Sequence, residues 1–105
     1  MTYDVRMNVP KIVRELLREW KRKGHTPYQI NSGNCDTFAM ELCDRIPYGQ
    51  MYWGDEVPEY FRNPDICEGH CFFMFNHRFY DSECPDGVRK PDDLPYYKRQ
   101  KELLT

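Results

Sequence analysis

Residues 69–84 read GHCFFMFNHRFYDSEC, and this stretch decides the fold because it predicts a β-hairpin. Two runs rich in aromatic residues, HCFFMF and RFYDSE, flank the dipeptide Asn76-His77. A two-residue connection is the commonest turn between antiparallel strands, and it places Phe75 opposite Arg78. We therefore predict two antiparallel strands in this register.

The same register decides which side chains share a face of the hairpin. Because side chains alternate along a strand, His70 and Asp81 lie diagonally on one face. The other face receives three residues of the first strand, Cys71, Phe73 and Phe75. An aspartate in that position can accept a hydrogen bond from one imidazole nitrogen and leave the other nitrogen for a thiol.

A thiol that could use this histidine lies in a second stretch, QINSGNCDTFAMELC, residues 29–43. The pattern predicts a helix from about Cys35 to Ile46, with Asn34 as its N-cap and Pro47 after its end. Cys35 then lies in the first turn, and the inward face also carries Phe38, Ala39, Leu42, Cys43 and Ile46. Unpaired backbone N–H groups and the helix dipole stabilise a thiolate at such a position.

These two stretches together predict a catalytic triad. Cys35 is the candidate nucleophile, His70 the general base and then the general acid, and Asp81 the group that orients the imidazole. One neighbour opposes this chemistry. The negative charge of Asp36 raises the pKa of an adjacent thiol unless the carboxylate points to solvent.

An amide-cleaving thiol also needs hydrogen-bond donors for the oxyanion that forms on the carbonyl oxygen. The backbone N–H at the start of the second helix is one natural donor. The side chain of Gln29, six residues before the thiol, is our candidate for the other, with Asn34 and Asn31 as alternatives.

The segment 47–68 is long for a connection in so small a domain, and such segments often carry function. Its QMYW run predicts a short strand, and the rest reads as a loop or lid rich in aromatic residues. We take Tyr52 and Trp53, together with Asn34, as candidate substrate-binding residues. The alternative is that the aromatic side chains only cover the core.

The remaining sequence completes an α+β pattern in one domain, residues 1–105. Residues 9–24, VPKIVRELLREWKRKG, show apolar residues at helical spacing with a basic opposite side. Residues 25–34 and 84–95 are rich in turn formers and predict loops, and residues 96–104 predict a short helix. The expected architecture is a pair of N-terminal helices packed on a small antiparallel sheet.

Composition excludes several classes of protein. The formal net charge is −2, which argues against general nucleic-acid binding. No apolar run approaches the roughly 20 residues of a membrane span, and the N-terminus lacks the layout of a secretory signal. The five cysteines are an odd number, so we expect reduced thiols in a cytoplasm rather than a disulfide framework.

Two other classes of function fit parts of the same sequence. The run CEGHC brings together Cys67, His70 and Cys71, and Cys84 lies across the hairpin, so a zinc site is one alternative. Strand alternation opposes it, because His70 and Cys71 point to opposite faces. The second alternative is a non-catalytic interaction protein whose basic helix and tyrosine-rich loop form the contact surface.

The triad residues give the chain a resemblance to the papain-like cysteine peptidase and amidase superfamily, including its compact NlpC-type members. The matching pieces are Cys35 in GNCDTFA, His70 in GHCFFMF and Asp81 in RFYDSE, in that chain order. The distance in sequence from Gln29 to Cys35 also matches papain-type enzymes. The sequence departs from them at Asp36, where a tryptophan or tyrosine is typical. The later pattern GH…YDSECPDGV…DLP looks like small phage or bacterial members.

The resemblance implies a papain-like core, without cofactor or metal, that hydrolyses a peptide or another amide-containing substrate. It also implies that some members keep the fold and lose activity. For a phage protein, the expected location is the host cytoplasm or the virion. The substrate, any protein partner and the oligomeric state are left open at this point.

Overall fold

Four α-helices, four strands and two short 3-10 helices (Gly54–Glu56 and Pro91–Asp93) occur in the part of the chain that a computed structural model describes, residues 7–56 and 69–104. In chain order the α-helices and strands are α1 (Val9–Arg22), α2 (Pro27–Asn31), α3 (Cys35–Arg45), β1 (Gln50–Trp53), β2 (Cys71–Phe75), β3 (Arg78–Asp81), β4 (Cys84–Val88) and α4 (Pro95–Leu104). The strands form one antiparallel sheet in the order β1-β2-β3-β4. The predicted α+β class is therefore confirmed.

The predicted hairpin is strands β2 and β3. Phe75 pairs with Arg78, which confirms the register derived from the sequence. Asn76 and His77 connect the strands with φ angles of 52° and 62°. Two successive positive φ angles are the signature of a type I′ turn, whose twist matches that of the flanking strands.

Helix α1 begins and ends as its sequence predicts. The Asn8 side chain accepts a hydrogen bond from the Lys11 backbone N–H at 3.1 Å, and Pro10 lies in the first turn. Gly24 follows the helix with a φ of +91°, a conformation that glycine adopts without steric cost. The apolar stripe of this helix is buried, with Val9, Val13, Leu16 and Trp20 in the core.

The sheet is covered on both faces. Helices α1 and α3 pack on one face around a core that includes Leu16, Phe38, Leu42, Phe73, Phe75 and Tyr80. The start of α4 packs on the other face in a second cluster of Phe72, Phe79, Leu94 and Tyr97. The alternation of Phe72 and Phe73 between these clusters confirms that adjacent residues of β2 face opposite sides.

The prediction of a loop over residues 25–34 is wrong in its middle, because Pro27–Asn31 forms helix α2. The Thr26 hydroxyl accepts a hydrogen bond from the Gln29 backbone N–H, and Gln29 Oε1 accepts one from the Thr26 backbone N–H. This reciprocal capping box, with proline at the first helical position, stabilises a helix of only five residues. The Thr-x-x-Gln spacing was the signal that the sequence interpretation missed.

The prediction of a loop over residues 84–95 is wrong at its start, because Cys84–Val88 forms strand β4 beside β3. Pro85 and Gly87 hide this strand from pattern-based prediction, since both residues are uncommon inside strands. The pairing contains a register shift, and Gly87 has a φ of +77°. A Cβ at Gly87 would lie 2.5 Å from the Tyr80 ring, so glycine permits the close approach of the two strands.

The predicted short strand at QMYW is confirmed as β1, which pairs with β2. Most of the predicted lid, residues 57–68, lies outside the described residues. Among the helices that the structure describes, none is long and apolar enough to cross a membrane.

We expect Gly49→Ala to destabilise the protein. A Cβ at Gly49 would lie 2.1 Å from Cζ of Phe73, which is fully buried and cannot move without disturbing the core. The free energy of unfolding, measured by urea denaturation, should fall by about 1–3 kcal/mol.

Gly33→Ala is the matched control for that variant. A Cβ at Gly33 would meet nothing within 4 Å among the described residues, so the free energy of unfolding should change by less than about 0.5 kcal/mol. Equal effects of the two substitutions would contradict the close packing assigned to Gly49.

Candidate active site

His70 and Asp81 form a hydrogen-bonded pair in the protein interior. His70 Nε2 lies 2.8 Å from Asp81 Oδ2, and the two side chains are 0% and 3% exposed. Because a carboxylate only accepts hydrogen bonds, Nε2 carries the proton of this bond. The diagonal neighbours predicted from the hairpin register are therefore in direct contact.

The second oxygen of Asp81 is also engaged. The Glu83 backbone N–H donates to Asp81 Oδ1 at 2.9 Å, within the turn that connects β3 to β4. The Ser82 hydroxyl donates to the Pro27 carbonyl oxygen at 2.7 Å and ties the same turn to α2. These bonds hold the carboxylate in one orientation, which in turn fixes the plane of the His70 ring.

Glu83 links the turn to two helices. Its carboxylate accepts two hydrogen bonds from the Arg99 guanidinium, at 2.7 and 2.8 Å, and one from Asn31 Nδ2 at 2.9 Å. Bidentate pairs of this kind are among the stronger ion pairs in proteins. The end of α2, the β3–β4 turn and α4 are therefore joined behind Asp81.

Cys35 begins helix α3, as predicted, and faces the interior. Its side chain is 9% exposed and packs in a cluster with Ala39 and Cys71, against which Met51 and Trp53 also pack. The nucleophile candidate therefore lies between the first turn of α3 and the first residue of β2. His70 immediately precedes that strand.

The environment lowers the pKa of the Cys35 thiol. Burial raises the pKa, but the nearby His70 imidazole with its positive charge and the Cys71 backbone N–H favour the thiolate and outweigh burial. The Asp36 carboxylate raises the pKa, which is the unfavourable effect expected from the sequence. The net shift favours the thiolate.

The pKa of His70 is raised, in the opposite direction to that of Cys35. Burial lowers it, and the bonds and charges of Asp81 and Cys35 outweigh burial. His70 Nδ1 has no aligned hydrogen bond among the described residues, although the Cys35 thiol is close enough to shift the imidazole pKa. Nδ1 is thus the nitrogen left for the thiol, in the loose geometry that is common before substrate binds.

The other described cysteines show the opposite shift. Burial raises the pKa of Cys71 to about 12 and that of Cys84 to about 11. Burial also raises the pKa of Cys43 on the same helix as Cys35. Cys67 lies outside the described residues. Among the four cysteines that the structure describes, Cys35 alone has a lowered pKa.

Two tyrosines of α4 complete the surroundings of the imidazole. The Tyr96 ring stacks on His70 with a centroid distance of 4.0 Å and an interplanar angle of 13°. The Tyr97 ring meets His70 edge-on at 5.6 Å. The sequence interpretation missed both residues, and the doubled tyrosine at the start of the last helix was the available signal.

The three oxyanion candidates have different surroundings. Gln29 is exposed, and its Oε1 accepts the capping bond from Thr26 at 2.9 Å. Asn31 is 5% exposed, and its Oδ1 has no hydrogen-bond partner among the described residues. Asn34 occupies the predicted N-cap position of α3, but its side chain makes no capping bond. The part of each in oxyanion binding stays a prediction.

The two aromatic candidates of β1 lie on opposite faces of the sheet. Tyr52 pairs with Phe72 and packs against the cluster on the α4 side, which is the side of Tyr97 and the His70 ring. Trp53 packs against the cluster that contains Cys35. Of these two candidates, Trp53 is therefore the one that packs with the Cys35 cluster.

The zinc alternative depends on Cys67, which lies outside the described residues. Within residues 7–56 and 69–104, no group of three or more histidine, cysteine, aspartate or glutamate side chains is placed to hold a metal ion. Of the remaining proposed ligands, His70 bonds to Asp81, and Cys84 packs against the cluster on the α4 side.

Cys35, His70 and Asp81 come from three parts of the chain, the start of α3, the residue before β2 and the end of β3. Comparison with models of protein families, with curated proteins and with solved structures found no match in any of the three.

We expect iodoacetamide to alkylate Cys35 faster than the other described cysteines below about pH 8, where an ordinary thiol is mostly protonated. The physical reason is that the pKa of Cys35 is lowered, whereas the pKa values of Cys43, Cys71 and Cys84 are raised. Peptide mapping by mass spectrometry after short exposures measures the rate at each site. Equal rates at Cys35 and at Cys43, the half-buried cysteine of the same helix, would contradict the assignment.

Replacing Asp36 by asparagine should shift the pH profile of Cys35 alkylation to lower pH, because the neighbouring negative charge is removed. Asp44→Asn is the matched control, since that carboxylate raises the pKa of Cys43 and is not among the charges acting on Cys35. An unchanged Cys35 profile in Asp36→Asn would show that the carboxylate is screened by solvent.

Proposed function

We propose that this protein is a cysteine hydrolase that cleaves an amide bond with Cys35, His70 and Asp81. The observation that carries the proposal is the buried 2.8 Å contact of His70 with Asp81 beside a thiol at the start of α3, and the pKa shifts agree with it, lowered for the thiol and raised for the imidazole. These shifts favour a thiolate facing an imidazolium, which is the reactive form of a cysteine nucleophile.

In the first half of the reaction, the Cys35 thiolate attacks the carbonyl carbon of the scissile amide and forms a C–S bond. The carbonyl electron pair moves to oxygen and returns as the C–N bond breaks. The His70 imidazolium donates its Nδ1 proton to the departing nitrogen, which leaves as a free amine. The product on the enzyme is a thioester at Cys35.

In the second half, neutral His70 takes a proton from water at Nδ1, and the hydroxide oxygen attacks the thioester carbon. The C–S bond breaks, and the carboxylic acid and the Cys35 thiolate are released with His70 again protonated. Asp81 accepts the Nε2–H bond throughout, so that Nδ1 always faces the reacting atoms.

Oxyanion stabilisation is assigned first to the backbone N–H of Cys35, because the N–H groups in the first turn of a helix have no intrahelical acceptor. A side-chain amide of Gln29, Asn31 or Asn34 is proposed as the second donor. The buried Asn31 is held in place by Glu83, whereas Gln29 is exposed and caps α2. An oxyanion needs a donor, and Asn31 already donates its Nδ2 to Glu83 while the capping bond of Gln29 uses its acceptor oxygen, so Gln29, at the papain-type position, is the favoured second donor.

Membership of the papain-like superfamily, in a compact NlpC-type form from a phage or bacterium, is proposed on the chain order of the triad and on the helix-then-sheet architecture. A reducing compartment, such as the cytoplasm, is proposed because the four described cysteines are free thiols. A peptide or related amide is the proposed substrate class.

Cys35→Ala should abolish hydrolysis, and His70→Ala should lower kcat/KM roughly 100-fold or more, since both the base and the acid are lost. Hydrolysis is measured with a pooled library of fluorogenic peptides and with peptidoglycan fragments. Cys43→Ala is the matched control and should keep wild-type activity, because this thiol has a raised pKa and lies outside the triad.

Near-ultraviolet circular dichroism of each variant separates loss of chemistry from loss of fold. A wild-type protein that hydrolyses none of these substrates, and whose Cys35 titrates like Cys43, would contradict the proposal. That result would favour the non-catalytic interaction protein instead.

A further inference from the structure

A groove of about 490 Å³ lies beside the candidate active site and is not used by the triad. It is lined by residues of α4, of α2 and of the turn after α2, among them Tyr28, Ser32, Tyr96, Arg99, Gln100 and Leu103. Its size is in the range of pockets that hold a small ligand or a few groups of a larger one.

Two lining residues connect the groove to the reacting groups. Ser32 lies three residues before Cys35, in the short turn that leads into α3. Tyr96 stacks on the His70 ring at 4.0 Å, so the groove and the general base share one aromatic side chain. The groove is therefore connected to the imidazole through the Tyr96 ring and to the start of α3 through the turn that holds Ser32.

The groove exposes apolar surface that the fold does not require. Tyr28 is 58% exposed and Leu103 is 85% exposed. It is unusual for two large side chains of one groove to leave this much apolar surface in contact with water. Exposed apolar surface next to a reactive centre is typical of a recognition site.

The charges of the groove disfavour an acidic ligand. The Arg99 guanidinium is neutralised by its two bonds to Glu83, and the carboxylate-bearing Glu102 also lines the groove. The flat guanidinium of Arg99 lies over the Tyr28 ring at 5.0 Å. Arg99 covers one face of the Tyr28 ring and His70 covers one face of the Tyr96 ring, so a ligand would meet the edges or opposite faces of these rings, next to polar Ser32 and Gln100.

We propose that this groove binds an aromatic side chain of the substrate next to the scissile amide, and that Tyr28 is its main specificity-determining residue. The inference rests on the proposed function, because the groove is placed relative to Cys35 and His70. Aromatic rings pair with tyrosine rings and guanidinium planes in offset or edge geometries, which gives a ring an advantage over an aliphatic group of similar size.

The test compares alkylation of Cys35 by three reagents, N-methyl, N-benzyl and N-cyclohexylmethyl iodoacetamide. Each rate at Cys35 is divided by the rate with N-acetylcysteine, which removes differences in intrinsic reactivity. The benzyl reagent should react about two- to tenfold faster than the other two. Tyr28→Leu should remove this advantage, so that the normalised benzyl rate falls to the N-methyl rate.

Tyr48→Leu is the matched control, because Tyr48 is an equally prominent tyrosine, 74% exposed, in the connection between α3 and β1. It should keep the benzyl advantage. Equal normalised rates for all three reagents, or a cyclohexylmethyl rate that matches the benzyl rate, would overturn the proposal.

The same alkylation rates show whether the groove assignment or the proposed function is wrong. If Cys35 reacts rapidly below about pH 8 but without preference, the thiol is activated and the groove assignment is wrong. If Cys35 reacts no faster than Cys43 with the N-methyl reagent, the proposed hydrolase chemistry is wrong, whatever the benzyl ratio.

Discussion

The buried hydrogen bond between His70 and Asp81 is the constraint on which the rest of the site depends. Both side chains are removed from water, so their polar atoms must find partners within the protein. Removing one partner of a buried charged pair costs about 3–5 kcal/mol, which is a large share of the stability of a small domain. The Glu83 backbone N–H and the stacked ring of Tyr96 therefore stabilise the fold and hold the imidazole–carboxylate pair in one orientation.

Strand alternation explains why the site lies at an end of the sheet. His70 and Cys71 are adjacent, so their side chains point to opposite faces, and Cys35 packs on the face of Cys71. A thiol on one face of the sheet can contact an imidazole on the other face only at the beginning of the strand, where no backbone lies between the two side chains. The first turn of α3 lies at that place and supplies the thiol together with N–H donors.

The pKa of the Cys35 thiol is set by effects that oppose one another. Burial and the Asp36 carboxylate favour the neutral thiol, whereas His70 and the Cys71 backbone N–H favour the thiolate. The cysteines that are buried without an imidazole have raised pKa values, as at Cys84. The proximity of His70 is therefore what distinguishes the lowered pKa of Cys35 from the raised pKa values of the other described cysteines.

The sequence by itself determined the hairpin, its register and the diagonal relation of His70 to Asp81, because strand alternation and a two-residue turn are local properties. It also determined that Cys35 begins a helix. Tertiary structure decided what depends on distant residues. Strand β4 forms by pairing with β3, and Gly87 permits this pairing because a side chain there would clash with the Tyr80 ring. The stacking on the imidazole, the lowered pKa of the thiol and the groove beside them required α2, α3 and α4 to pack around one end of the sheet, which no local pattern specifies.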